Sequence, residues 1–299
     1  MKINMIWFIF LMPMLLSAQS GKVFDQLTLP SEILKMERKY GIYLPPDYES
    51  SQRDYPVLYL LHGMSDNQTG WIQFGEVLRI TDAAIRAGTA TPMIIVMPDA
   101  DTQVIGYVDR PNGEWSYEQF FFEEFMPHVE ANYRIKKHKR YRAISGLSMG
   151  GGGSFYYALH RPDLFQSACP LSAYCGPLTV EEAHKHYEWN GLSEVSEKYY
   201  EDFYNKYGVV HLMNTLPKAD IQSVRWYIDC GDDDHLFEGS SRVHIAMKNR
   251  DIPHEYRVRD GGHNWTYWRE ALPSVLTFVS QGFHQYLSLI HISEPTRRS

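Results

Sequence analysis

The pentapeptide Gly146-Leu147-Ser148-Met149-Gly150 lies between an apolar run, "RYRAIS", and a helix-forming stretch, "SFYYALHRP". A serine in G-x-S-x-G at a strand-to-helix turn is held in a tight backbone with its hydroxyl exposed, which suits a nucleophile that attacks acyl carbons. The residues two before and two after such a serine need to lack side chains, and Gly146 and Gly150 meet that need. Gly151 to Gly153 would let the following helix pack close to the sheet; Gly150 is expected to be the least replaceable of the four and Gly153 the most tolerant. A linker would be flanked by polar residues, and a phosphate cradle of the GxxxxGK[ST] kind needs a lysine that is missing here.

A serine nucleophile needs a base and an acid that orients it, and in a strand–turn–helix frame these follow in the order serine, acid, histidine. Downstream of Ser148, "WYIDCGDDDHLF" reads as a strand ending in an acidic turn, and "RVRDGGHNWTYW" as a strand ending in a histidine loop. His263, after Gly261-Gly262, is the expected base. His235, His244 and His254 lie on or beside an amphipathic helix and read as surface or packing residues. Spacing leaves Asp229, Asp232, Asp233 and Asp234 all open as the acid. The oxyanion formed during attack needs two amides: the Met149 N–H at the helix start and the Met64 N–H after "VLYLLHG". His62 in that run reads as structural. "DCGDDDH" and "HKH" offer metal ligands, yet neither HExxH nor EF-hand spacing is present, so no catalytic metal and no cofactor are expected.

The elements that would position these groups alternate short apolar runs with amphipathic stretches, the pattern of a parallel sheet with crossover helices. Strands are predicted at Lys39–Leu44, Pro56–Leu61, Met93–Met97, Tyr141–Ser145, Gln166–Leu171, Val224–Asp229 and Glu255–Val258. Helices are predicted at Gly75–Ala87, Ser116–Ala131, Gly150–His160, Ser240–Asn249 and Trp265–Phe283. The long, polar, tyrosine-rich segment Tyr174–Ala219 interrupts the rhythm where such a sheet puts its ligand-side loops. It reads either as a lid-like insertion or as a solvated helical excursion with packing tyrosines.

Neither end of the 299 residues reads as part of this domain. Residues 1–18 carry Lys2, an apolar run and small residues at Ser17 and Ala18, the layout of a cleaved secretory signal, so a secreted or periplasmic chain without a retained membrane span is expected. Leu287–Arg297 reads as an in-frame translation of a transposon-type sequencing adapter, which makes 287–299 a non-native tail and 19–286 a single domain. Without these ends 26 basic and 35 acidic residues remain, a net charge of −9. That surface repels phosphate backbones and excludes nucleic acid as a natural partner. Cys169, Cys175 and Cys230 are an odd number without CxxC spacing, so at most one bridge could form.

"YPVLYLLHG", "FFFEEFMPHVEANYR", "RYRAISGLSMGGGGSFYYALHRPDLF", "CGDDDHLF" and "IPHEYRVRDGGHNWTYWREAL", in this order, resemble the esterase-D-like α/β-hydrolases. Within these the chain is most similar to carbohydrate esterase family one, which holds feruloyl and acetylxylan esterases. The resemblance implies an α/β-hydrolase fold, a mostly parallel sheet with helices on both faces. It places the nucleophile at Ser148, the base at His263 and the acid at Asp234, two residues before Leu236. It implies a serine esterase that removes feruloyl or acetyl groups from xylan. The wider group also holds mycolyl-type acyltransferases, siderophore esterases and S-formylglutathione hydrolases, of which the last fit a secretory signal poorly. Trp115, Tyr117 and Trp265 offer flat faces for a ferulate or sugar ring and are expected pocket walls.

Overall fold

A computed structural model describes residues 19–100, 106–189 and 196–284, with only the backbone given for 186–189. The expected signal, the adapter-like tail and residues 190–195 of the tyrosine-rich segment lie outside the described residues.

Eight strands form one sheet: β1 (Lys22–Ser31), β2 (Met36–Leu44), β3 (Val57–Leu61), β4 (Ile94–Pro98), β5 (Arg142–Leu147), β6 (Ser167–Leu171), β7 (Arg225–Gly231) and β8 (Glu255–Arg259). Their order is β1-β2-β4-β3-β5-β6-β7-β8. Pairing is antiparallel from β1 through β2 to β4 and parallel across the rest.

The central strands are short apolar runs because both of their faces are covered. Val57, Tyr59 and Leu61 of β3 point into one core, and Leu58 and Leu60 into the other. The helices are α1 (Gly70–Gln73), α2 (Val77–Arg86), α3 (Tyr117–Phe120), α4 (Met126–Asn132), α5 (Met149–His160), α6 (Val180–Trp189), α7 (Glu197–Tyr207), α8 (Val209–Thr215), α9 (Lys218–Gln222), α10 (Phe237–Asn249) and α11 (Trp265–His284). A single π-turn, Phe121–Phe125, joins α3 to α4. The first core takes aromatic residues of α3, α5 and α7, and the second takes Trp268, Leu272 and Val275 of α11 with Val77 and Ile80 of α2.

All seven predicted strands and five predicted helices have counterparts, with ends shifted by a few residues. The sequence reading missed β1. Among the described residues this edge strand pairs only with β2, and it is interrupted by an irregularity between Phe24 and Leu27. Most of its residues are partly or fully exposed, so it lacks the buried run that marked the others.

Between 174 and 219 the described residues carry α6, α7, α8 and the start of α9, and α7 buries Tyr199, Tyr200, Phe203 and Tyr207 in the first core. Its described tyrosines therefore do packing work. All three cysteines are free and buried, and burial pushes the Cys230 thiol up to about 12. Such thiols are not reactive nucleophiles near neutral pH.

Candidate active site

Sheet register brings the chemistry to one edge. Leu61 of β3 pairs with Gly146, and Leu147 of β5 pairs with Leu171 of β6, which in turn pairs with Asp229 of β7. The residues just beyond these strand ends, His62-Gly63, Ser148 and Ser172, therefore lie side by side at the carboxyl edge. The loops after β7 and β8 add Asp234 and His263.

Ser148 has φ 77° and ψ −106°, a backbone state that non-glycine residues rarely adopt and that costs about 1–3 kcal/mol. Its surroundings hold it there: the Ser148 N–H donates to the Leu171 carbonyl at 3.0 Å. The Ser148 carbonyl accepts from Gly152 N–H at 3.0 Å and Tyr174 N–H at 2.9 Å. A side chain on Gly146 would place its Cβ 2.6 Å from the Gly150 carbonyl oxygen, and one on Gly150 would lie 2.6 Å from that of His62. Both obstacles are backbone. A Cβ on Gly153 would instead meet side-chain atoms of Leu61 and Tyr107 at 2.9 Å, so it is the mildest of these clashes but still a tight one.

His263 Nε2 lies 3.0 Å from Ser148 Oγ, and His263 Nδ1 lies 2.8 Å from Asp234 Oδ2 and 3.0 Å from Oδ1. With Asp234 accepting at Nδ1, the neutral ring keeps its proton there and turns its Nε2 lone pair toward the serine hydroxyl. The His263 ring also packs edge-on against Trp268, with centroids 4.9 Å apart.

The Asp234 side chain is fully buried. Burial alone would raise its carboxyl, but hydrogen bonds from His263, the Leu236 amide and Ser172 outweigh it and hold the group below the usual carboxylate range. Ser172, itself at φ 43°, accepts a bond from Trp268 Nε1 at 3.0 Å. One chain of contacts thus runs from the helix α11 indole through Ser172 to Asp234. The sequence reading passed over Ser172 and Trp268; the available signal was Ser172's position just past a strand's carboxyl end.

The other three aspartates sit elsewhere. Asp229 is buried and receives Tyr267 Oη at 2.6 Å, Tyr227 Oη at 2.8 Å and the Arg259 guanidinium at 3.1 Å. Asp232 and Asp233 are exposed, and Asp232 accepts from the Gly261 N–H, which shapes the histidine loop.

Met149 is the first residue of α5, so its N–H has no acceptor within the helix. A Cβ on Gly63 would lie 3.5 Å from Ser148 Cβ, so the backbone leading into Met64 passes beside the serine. His62 anchors that backbone. The Ala100 N–H donates to its Nε2 at 2.8 Å, and its Nδ1 donates to the Gly63 carbonyl at 2.7 Å. Trp71 Nε1 adds a bond to the Leu61 carbonyl at 2.9 Å.

Of the three aromatic residues expected as walls, Trp265 lies near the site: it contacts Trp268 edge-on at 5.3 Å and half-exposed Phe74 at 5.8 Å. For Trp115 and Tyr117 the expectation is corrected. The Tyr117 ring is fully buried, and its hydroxyl donates to the Asp99 carbonyl at 2.7 Å. Trp115 stacks on Tyr117 and donates to the Gly106 carbonyl at 3.0 Å. Both rings are committed to the core, where their large apolar area is more stabilising than it would be on a solvated rim.

An open mixed sheet with a strained serine after its central strand, and an acid and a histidine after later strands, defines the α/β-hydrolase fold. Within that class the chain belongs to the esterase family described as "Putative esterase", which matches residues 31–279. An endo-1,4-beta-xylanase/feruloyl esterase of Xylanibacter ruminicola is 34% identical over 147 residues, 47% of this chain and 20% of that protein. The chain thus spans about a fifth of that relative's length. An acetyl esterase of Caldicellulosiruptor saccharolyticus is 24% identical over 271 residues, 86% of this chain and 97% of that one. A solved ferulic acid esterase has a TM-score of 0.78 and 36% identity, covering 88% of this chain and 99% of its own. Among the described residues no helix is long and apolar enough to cross a membrane.

Proposed function

We propose that this protein is a serine carboxylic-ester hydrolase, secreted or periplasmic, that removes feruloyl or acetyl groups from xylan through an acyl-enzyme on Ser148. The observation that carries the reading is the 3.0 Å and 2.8 Å contacts that join Ser148, His263 and Asp234 on a strained turn. The names of the feruloyl and acetyl esterase relatives support the acyl class, and the apolar start of the chain supports export.

In this mechanism His263 Nε2 takes the Ser148 proton as Oγ attacks the ester carbonyl, and the Met149 and Met64 amides hold the oxyanion. The Asp234 carboxylate stabilises the imidazolium. That imidazolium then protonates the departing sugar oxygen, which leaves as a hydroxyl with the acyl group on Ser148. Water, deprotonated by His263, attacks the acyl-enzyme and restores the serine. Neither a metal nor a cofactor takes part.

An aromatic run leads away from His263, through Trp268 to Trp265 and half-exposed Phe74, and this apolar area supports an aryl acyl group. The test compares kcat/KM on methyl ferulate and methyl acetate, with release of ferulate and acetate from xylan followed in parallel. A preference for ferulate is expected. A preference for acetate of about tenfold, equivalent to about 1.4 kcal/mol, would remove the aryl assignment.

A further inference from the structure

Asp234 has a second imidazole beside it. His235 Nδ1 is 3.8 Å from Asp234 Oδ1, and its ring centroid lies 4.5 Å from that of His263 with the planes at 61°. One ligand atom from each of Asp234, His235 and His263 falls within 4.8 Å of the other two. Two imidazoles and a carboxylate form a donor set suited to zinc, and a tetrahedral zinc with bonds of about 2.0–2.1 Å spaces its ligand atoms about 3.4 Å apart. Asp234 and His263 are already closer than that, at 2.8 Å. The His235 side chain is 69% exposed. The acyl-transfer mechanism gives it no part.

We propose that Asp234, His235 and His263 form an inhibitory site for a divalent transition-metal ion of the zinc type. The inhibition rests on the proposed function; the binding does not. A metal at His263 Nδ1 takes the lone pair there, so the Nδ1 proton passes to water and Nε2 takes one up, with no net change in protons. Nε2 then donates toward Ser148 and has no lone pair to receive the hydroxyl proton. Asp234 becomes a ligand instead of the acceptor that fixes the working tautomer. The metal stops catalysis by locking the ring in the wrong tautomer, without touching the serine.

Two other clusters serve as internal controls. His244 Nδ1 and His254 Nε2 lie 2.7 Å apart, but among the described residues no third ligand joins them. Asp232, Asp233 and Asp260 are exposed oxygen donors, better matched to calcium than to zinc.

The experiment titrates zinc into the metal-stripped protein. Hydrolysis of a chromogenic acetate and binding heat are measured in parallel, each variant being compared with itself in EDTA. Zinc is expected to inhibit the native protein reversibly, calcium to leave turnover unchanged, and EDTA to restore turnover. His235→Gln should raise the zinc concentration for half-inhibition, and weaken binding, by about tenfold or more, as expected for losing one ligand. His254→Gln should change neither. Ser148→Ala, which removes turnover, should keep the native binding heat. Equal zinc sensitivity of the native protein and His235→Gln, or no binding heat that depends on His235, would overturn the site. Zinc binding through His235 in a protein that hydrolyses no ester would overturn the proposed function and leave the site standing.

Discussion

Helix α5 starts and ends beside a histidine–carboxylate pair, and the two pairs have different consequences. At its start His263 Nδ1 meets Asp234 at 2.8 Å; at its end His160 Nδ1 meets Glu118 at 2.7 Å. Both carboxylates are buried. Burial alone would raise the Glu118 carboxyl, but bonds from His160, Lys206 and Tyr207 hold it low, much as bonds hold Asp234 low. What differs is the third partner. His263 Nε2 faces a hydroxyl, which can give up a proton, whereas His160 Nε2 faces the Lys206 carbonyl at 2.8 Å, which can only accept one. His160 must donate there, so its pair ties α7 to the body of the protein. A carboxylate–imidazole contact does not by itself define a catalytic site; the group on the far nitrogen decides.

The largest effect expected from breaking this contrast is at Asp234. Asp234→Asn should lower kcat by about 10²–10⁴-fold by releasing the His263 tautomer. Asp233→Asn, on an exposed carboxylate, should leave kcat nearly unchanged. Asp229→Asn should act through melting temperature, because it replaces one of the two buried oxygens that accept from Tyr227, Tyr267 and Arg259 by a donor and removes the charge facing Arg259. Matched assays and thermal scans of the three variants check this, and a larger kcat loss at Asp233 than at Asp234 would reverse the assignment.

At the serine turn, Gly150→Ala should abolish turnover or folding, because its Cβ meets backbone atoms that have no room to move. Gly153→Ala should be milder, since it presses on side chains, and soluble yield with residual activity measures the difference. At the other end of α5, His160→Ala should cost about 1.5–3 kcal/mol of stability, as for a hydrogen bond to a charged group, while leaving kcat little changed. Urea denaturation and a chromogenic assay separate those outcomes, and a kcat loss without a stability loss would contradict the structural role.

The smallest effect concerns pH. Both carboxylates are lower in the folded chain than in the unfolded one, so the unfolded state binds more protons and their stabilisation is complete above about pH 4–5. It is lost as pH falls through the folded-state values. Glu118→Gln should flatten that acid limb of stability, which unfolding midpoints between about pH 3 and pH 6 would show. An unchanged slope would mean that His160 and Lys206 do not stabilise the Glu118 charge.

The buried strands and the order serine, acid, histidine were legible because apolar runs and a strand-to-helix glycine pattern are local signals. The choice of Asp234 over Asp229 was not local. Both follow the same apolar run, and only the three-dimensional placement of Tyr227, Tyr267 and Arg259 shows that Asp229 is already engaged. The same limit hid Ser172, and it made Trp115 and Tyr117 look like pocket walls, since an aromatic residue reads alike whether it faces a ligand or a core. Strand β1 escaped because an edge strand that is half solvated carries no continuous apolar run.

A Ser148 nucleophile activated by His263 is open to covalent capture. Intact-mass analysis after treatment with a fluorophosphonate should show one adduct per chain, mapped to Ser148, absent in Ser148→Ala and formed far more slowly in His263→Ala. An unlabelled native protein, or equal labelling of Ser148→Ala, would contradict a nucleophilic Ser148.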